Sequence, residues 1–225
     1  MAVHDGHRKR MLSKFLEHGI DTLHSHEMLE ILLYYAIPRR DTNPIGHALI
    51  ENFGSLRAVF DAPYEELLKV DGVGPSAATL IKMIPQMARA YYSDVGENYI
   101  IDSSQAAGKY LMPKYVGHTN EMVMVVCLDN KNKVIACVKA AEGVVNSTDF
   151  SKRRIAEIAM KYNAASIIIS HNHPGGVALP SRDDIESTRR ILHFLREMNI
   201  PLLDHIVVAD KDYVSMAESH LLTDY

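Results

Sequence analysis

The strongest constraint on this chain is a change of hydrophobic period near residue 100. Upstream, apolar side chains recur three and four residues apart: Met11, Leu12, Phe15 and Leu16, then Leu23, Met28, Leu29, Ile31, Leu32 and Leu33. That spacing lines one face of a helix. Downstream, short apolar runs such as Met122–Leu128 and Ser166–Ser170 are strand-sized and bounded by turn residues. The pattern predicts a helical module over 1–98 and a mixed module over 99–225, an α/β (α+β) chain overall. The boundary falls in the polar stretch Ser93–Ile101.

Within the first module the spacing predicts helices over Arg8–His18, stopped by Gly19, and over Asp21–Ala36, ended before Ile37-Pro38. Asn43-Pro44 opens a third, closed by Gly54, because proline is pre-set for a first helical turn. Short helices cover Ser55–Phe60 and Tyr64–Lys69, and a long one follows Pro75 to about Tyr92, offset at Pro85. In the second module a helix starts at Ser103. Glu121–Leu128 and Val134–Val138 pair as a hairpin across Asp129-Asn130-Lys131-Asn132. Then come a helix over Ser151–Asn163, a buried strand over Ala165–Ser170 and an amphipathic helix over Ser181–Met198. Strands over Pro201–Ala209 and Tyr213–Ser215 close the chain.

Composition narrows the function classes. Apolar residues make up 47% and charged residues 23%, which excludes a disordered chain. No apolar run nears the roughly 18 residues of a membrane span, and the N-terminus lacks an apolar signal core. Two cysteines, Cys127 and Cys137, are too few for a disulfide framework. A cytoplasmic protein with no membrane contact is expected. Residues 1–98 carry 10 basic and 13 acidic side chains, and residues 99–225 carry 14 and 15. Neither part is a basic clamp, so any nucleic-acid contact needs a local backbone motif.

Twelve histidines make histidine spacing worth reading. Ser170-His171-Asn172-His173-Pro174-Gly175-Gly176 follows directly on a predicted strand. Residues two apart on an extended chain point to one side, which groups His171 with His173 and sets Asn172 opposite. Two imidazoles on one face suit two ligand positions of a Zn²⁺ ion. Ser181 then caps a helix whose first turn holds Asp184. His171, His173 and Asp184 would form an open three-ligand site. His24-Ser25-His26 has the same spacing, but on a predicted helix the two rings would not align.

The whole string, His-x-His, seven residues, Ser, two residues, Asp, resembles the signature of the JAB/MPN (JAMM) metalloproteases. SHNHPGGVALPSRDD is similar to the RadC-type branch (the UPF0758 proteins). Leu202–Val208, Asp212–Ser215 and Glu121–Asp129 resemble other segments of that branch. The resemblance covers almost the whole chain. It implies a central sheet flanked by helices, with zinc at the sheet edge. It implies His171, His173 and Asp184 as ligands, Ser181 as oxyanion donor and Glu121 as acid–base. Zinc lowers the pKa of its water to roughly 7, a carboxylate can move that water's proton to a leaving amine, and a hydroxyl shares the oxyanion charge. Glu142, before Gly143, is a rival for the acid–base. His205 reads as a core strand histidine donating to a neighbour rather than a fourth ligand. Two departures from the branch stand out: Gly175 replaces a loop serine, and 146–154 lacks a Val-His-Pro-Arg-Glu run.

The resemblance implies a zinc-dependent hydrolase acting on a peptide or isopeptide bond of an unidentified protein substrate. A DNA-associated repair or recombination accessory with a structural or vestigial zinc site is the alternative, and an interaction scaffold a third; intact ligands argue against the scaffold. Leu67–Ala78 resembles a helix-hairpin-helix motif, in which a Gly72-Val73-Gly74 turn offers backbone N–H groups to a phosphate, with Lys69 close by. Such contact carries no base information. With so few cations, any DNA binding should be weak, independent of sequence and shallow in its salt dependence. Anisotropy titrations of residues 1–98 against random duplexes at several salt concentrations check this. Strong preference for one duplex, or no binding at low salt, counts against it.

Overall fold

A computed structural model describes residues 3–93, 99–143 and 148–222 of the chain. Part of the polar stretch read as the domain boundary, and part of the 146–154 segment, lie outside the described residues. The chain divides into two compact units at Ala88/Arg89, inside a helix and ten residues before the boundary drawn from composition. Helical continuity hides that boundary from a reading of polarity.

The first unit is helical: α1 (Val3–His18), α2 (Ser25–Leu33), α3 (Asn43–Phe53), α4 (Leu56–Asp61), α5 (Tyr64–Leu67) and most of α6 (Pro75–Ser93). Leu29, Leu33, Leu49, Leu67 and Ile81 form its fully buried centre. The predicted helix Asp21–Ala36 is shorter than expected. Leu23 and His24 are extended, and His24 caps α2 through a reciprocal pair of bonds with Glu27. Pro85 lies inside α6 without ending it.

The second unit contains α7 (Ser104–Leu111), β1 (Met122–Leu128), β2 (Val134–Glu142), α8 (Thr148–Lys161), β3 (Ser166–Asn172), α9 (Arg182–Glu197), β4 (Leu202–Ala209) and β5 (Asp212–Ser215). The strands form one mixed sheet in the order β2-β1-β3-β4-β5. Only β3 and β4 run parallel, with α9 between them in the chain. β2 extends four residues beyond the sequence expectation, because pairing with β1 carries Lys139, Ala140 and Ala141 along as strand. Tertiary pairing outweighs the weak strand preference of alanine here.

Alternation divides the core into two layers. Val125, Cys127, Ile167 and Ile169 meet Ile155, Ile158, Ile191 and Leu195 of α8 and α9. Val126, Leu128, Ile168, Ile206 and Val208 meet Ala107, Tyr110 and Leu111 of α7. Helices thus cover both faces of the sheet, the arrangement that buries central strands completely. Among the described residues no helix is long and apolar enough to cross a membrane.

Close packing of α7 leaves a test of this layering. A Cβ added at Gly108 would sit 2.5 Å from the Tyr213 ring on β5. In a free helix Gly→Ala is favourable by about 1 kcal/mol, whereas overpacking costs about 1–3 kcal/mol. Gly108→Ala is expected to lower stability, read as a reduced urea midpoint. An unchanged or raised midpoint would show that the ring moves aside freely.

Candidate metal centre and active site

The site starts at the C-terminal end of β3, the middle strand of the sheet. Backbone pairing continues past the strand, since the His173 N–H donates to the Val208 carbonyl at 2.8 Å. The extended path keeps His171 and His173 on one side, with their Nε2 atoms 2.9 Å apart. Pro174 and Gly175, the latter at φ +68°, then turn the chain away from the sheet. The chain returns at Ser181, the N-cap of α9. The Ser181 hydroxyl accepts from the Asp184 N–H at 3.1 Å, and its N–H donates to Asp184 Oδ2 at 2.8 Å. This reciprocal cap aims the Asp184 carboxylate back at β3: Oδ1 lies 3.5 Å from His171 Nε2 and Oδ2 3.4 Å from His173 Nε2.

Ligand atoms around a tetrahedral zinc at about 2.0–2.1 Å stand roughly 3.3 Å apart, and these three separations bracket that value. Among the described residues His171, His173 and Asp184 are the one group able to hold a metal ion. The donor chemistry fits as well. His173 Nδ1 lies 3.1 Å from the Val177 carbonyl, which can only accept, so the proton of the neutral ring sits on Nδ1 and Nε2 keeps its lone pair. Two imidazole nitrogens at 2.9 Å need a cation between them, either a proton or a metal. Burial would raise the Asp184 carboxyl, but the neighbouring His171 imidazole and the Ser181 bonds outweigh it and hold it well below the usual carboxylate range. A negative oxygen is therefore available to a cation, and the N-terminal end of α9 favours that charge too.

Glu121, His171, Asp184, Ser187 and His205 line one cavity together with apolar Val123, Ile155, Ile169 and Ile191. Parity explains Glu121. Val123 pairs with His171 in the β1–β3 ladder, and Glu121 lies two residues before it on the same face. Asn172, on the opposite face, fixes that end of β1. Its Oδ1 accepts from the Met122 N–H at 2.8 Å and its Nδ2 donates to the Asn120 carbonyl at 3.1 Å. Both residues flanking Glu121 are thus held by one amide. Glu142 lies outside the cavity lining and pairs with Lys139 at 2.5 Å, which holds its carboxyl below the ordinary value. Ser181 donates its hydroxyl proton to Asp184 Oδ2 at 2.6 Å and is not among the cavity's lining residues.

Thr188 lies outside the sequence motif. It is fully buried on α9, one turn after Asp184, and its hydroxyl lies 2.6 Å from both the Asp184 carbonyl and His205 Nδ1. His205 Nε2 in turn lies 2.8 Å from His171 Nδ1. Burial first, and His171 second, push the His205 pKa well below its ordinary value, which disfavours a charged ring. The signals in the sequence were the four-residue step from Asp184 to Thr188 and the position of His205 in the strand parallel to β3. His205 is not one of the three grouped ligands.

In the first unit Gly72 has φ +83°, and a Cβ there would meet Ile45 Cδ1 at 2.7 Å. The glycine is thus required by the turn and by packing. Gly74 immediately precedes α6, and Lys69 pairs with Glu66 at 2.6 Å. Lys82 donates to the Phe60 and Ala62 carbonyls at 2.8 Å. His24 and His26 do stack, with ring centroids 5.8 Å apart, contrary to the helical expectation, because His24 precedes α2 in an extended conformation. They are not part of a metal-capable group among the described residues.

Residues 101–221 match the RadC-like JAB domain, and residues 6–79 match the UPF0758 N-terminal domain. A UPF0758 protein of Fusobacterium nucleatum subsp. nucleatum is 34% identical over 225 residues, covering 96% of this chain and 97% of the relative. The order of strands, loop and capped helix that carries His171, His173 and Asp184 is therefore that of a chain belonging to the RadC-like JAB domain family, preceded by a UPF0758 N-terminal domain.

Proposed function

We propose that the chain is a zinc-dependent hydrolase of the JAMM type that cleaves a peptide or isopeptide bond. The observation that carries this reading is the convergence of two imidazole nitrogens, one anionic carboxylate and the strand-end Glu121 on one cavity. His171, His173 and Asp184 would hold the metal. When bound, zinc supplies a Lewis acid for a carbonyl oxygen and raises the acidity of a water. Glu121 accepts the water's proton and returns it to the leaving amine. Ser181 donates to the oxygen of the attacked carbonyl once its hydroxyl proton turns from Asp184 Oδ2, while its N–H keeps Asp184 in place. Val123, Ile155 and Ile191 exclude bulk water from one side of the cavity, which strengthens these charge interactions.

Metal assignment is tested without any substrate. Protein purified without added metal is expected to carry one zinc, with strong loss in His171→Ala and in Asp184→Ala. The fold should survive both changes, since the two buried core layers lie along the sheet rather than at its end. Full zinc content in the His171→Ala, His173→Ala double variant would defeat the assignment.

Catalysis is tested by screening linear and isopeptide-linked peptide libraries by mass spectrometry, then comparing two variants on any substrate found. Glu121→Gln should bind zinc like the parent and lose on the order of a hundredfold in turnover, the usual scale for removing a general acid–base. Glu142→Gln should keep turnover. The opposite result makes Glu142 the base, and full activity in both variants ends the hydrolase reading.

A further inference from the structure

The cluster of Asp184, Thr188, His205 and His171 closes on itself, and its hydrogen-bond directions can be deduced. Thr188 has one hydroxyl proton and two neighbours at 2.6 Å, the Asp184 carbonyl and His205 Nδ1. A carbonyl can only accept. Giving the proton to His205 would leave two oxygens facing each other at 2.6 Å with no proton between them. Thr188 therefore donates to Asp184, and it satisfies its other neighbour by accepting from His205 Nδ1–H. His205 is buried against the His171 imidazole, surroundings that disfavour a charged ring, so with its single proton on Nδ1 it keeps a lone pair on Nε2, 2.8 Å from His171 Nδ1. That contact is a hydrogen bond only if His171 carries its proton on Nδ1. His171 Nε2 then has no proton to offer His173 Nε2 or the Asp184 carboxylate, so the cation that their 2.9 Å contact requires has to come from outside the two neutral rings.

We propose that Thr188 and His205 are positioning residues that lock His171 into the one tautomer able to ligate a metal. The proposal rests on the zinc reading of the site and adds to it the device that prepares one ligand before the ion arrives. The alternative tautomer would place a proton on Nε2, where an ion has to bind. Both residues are buried, Thr188 at 0% and His205 at 6% exposure, so water does not offer easy substitute partners. The chain begins and ends at ligands. It starts at the backbone carbonyl of Asp184 and finishes on the ring of His171, so one hydroxyl sets the direction of every bond in it. His173 reaches the same tautomer independently, through the Val177 carbonyl. Partners that orient a ligating histidine typically change metal affinity by about 10- to 100-fold when removed.

Two measurements decide the proposal. In metal-free protein, at a pH where the imidazoles are neutral, long-range proton–nitrogen NMR should show His171 with its proton on Nδ1. A proton on Nε2 in the parent overturns the proposal outright. Zinc affinity, read by chelator competition, should fall by about 10- to 100-fold in Thr188→Val, with the His171 nitrogen shifts moving toward a mixture of tautomers. Thr188→Ser keeps the hydroxyl and should restore both readouts. Parent-like affinity and shifts in Thr188→Val, or equal losses in the serine and valine variants, overturn the proposal, the second outcome because the methyl group's packing would then be what matters. Should Thr188→Val fail to fold, the parent spectrum decides alone. If the parent takes up no zinc, the zinc reading fails, and the parent spectrum still reports whether the tautomer is fixed.

Discussion

β3 has paired neighbours on both sides and helices over both faces, and all seven of its residues are buried. Each of Ile167, Ile168 and Ile169 contributes roughly 1.5–3 kcal/mol by leaving water, and together they fix which side chains face which layer. The chemistry of the site is read off that alternation. His171 continues the α8–α9 face of Ile167 and Ile169, and Val123 and His205 lie on the same face of the neighbouring strands. A polar cluster is placed within a hydrophobic layer without being selected by it, because strand parity alone dictates the side.

α9 contributes in a different way. Its first turn holds Ser181 and Asp184, a local capping arrangement that would form on many helices. What makes it a site is direction, since the helix starts beside the end of β3. The same turn therefore satisfies its own backbone donors and presents a charged oxygen to two imidazoles. Local helix chemistry and long-range sheet chemistry meet at one carboxylate, and Thr188 one turn later ties the two together again.

Much of this was legible in the chain. Period changes located the helical and mixed modules, and the His171-Asn172-His173 alternation needed only an extended backbone. Ser181 and Asp184 were visible as a cap. Elements whose limits depend on distant partners were harder. The end of β2 at Glu142 is set by β1, and the unit boundary at Ala88 lies within continuous helix. His24 escaped the helical period because it caps α2 instead of entering it. Thr188 was hidden for a physical reason: a threonine in a helix commonly bonds the carbonyl four residues back, and nothing local reveals that a histidine from β4 waits on its other side.

Asn172 separates two properties that are easily treated as one. The residues on either side of it point into the metal-capable group, while its own amide holds Asn120 and Met122 on the far side of the strand. Grouping the two imidazoles and fixing the strand end that carries Glu121 are therefore tasks of opposite faces of one tripeptide. On the zinc reading, a molecule damaged on the Asn172 side would remain loaded and folded, yet have its glutamate adrift. On that reading, metal content would measure how many sites are assembled, not how many can work.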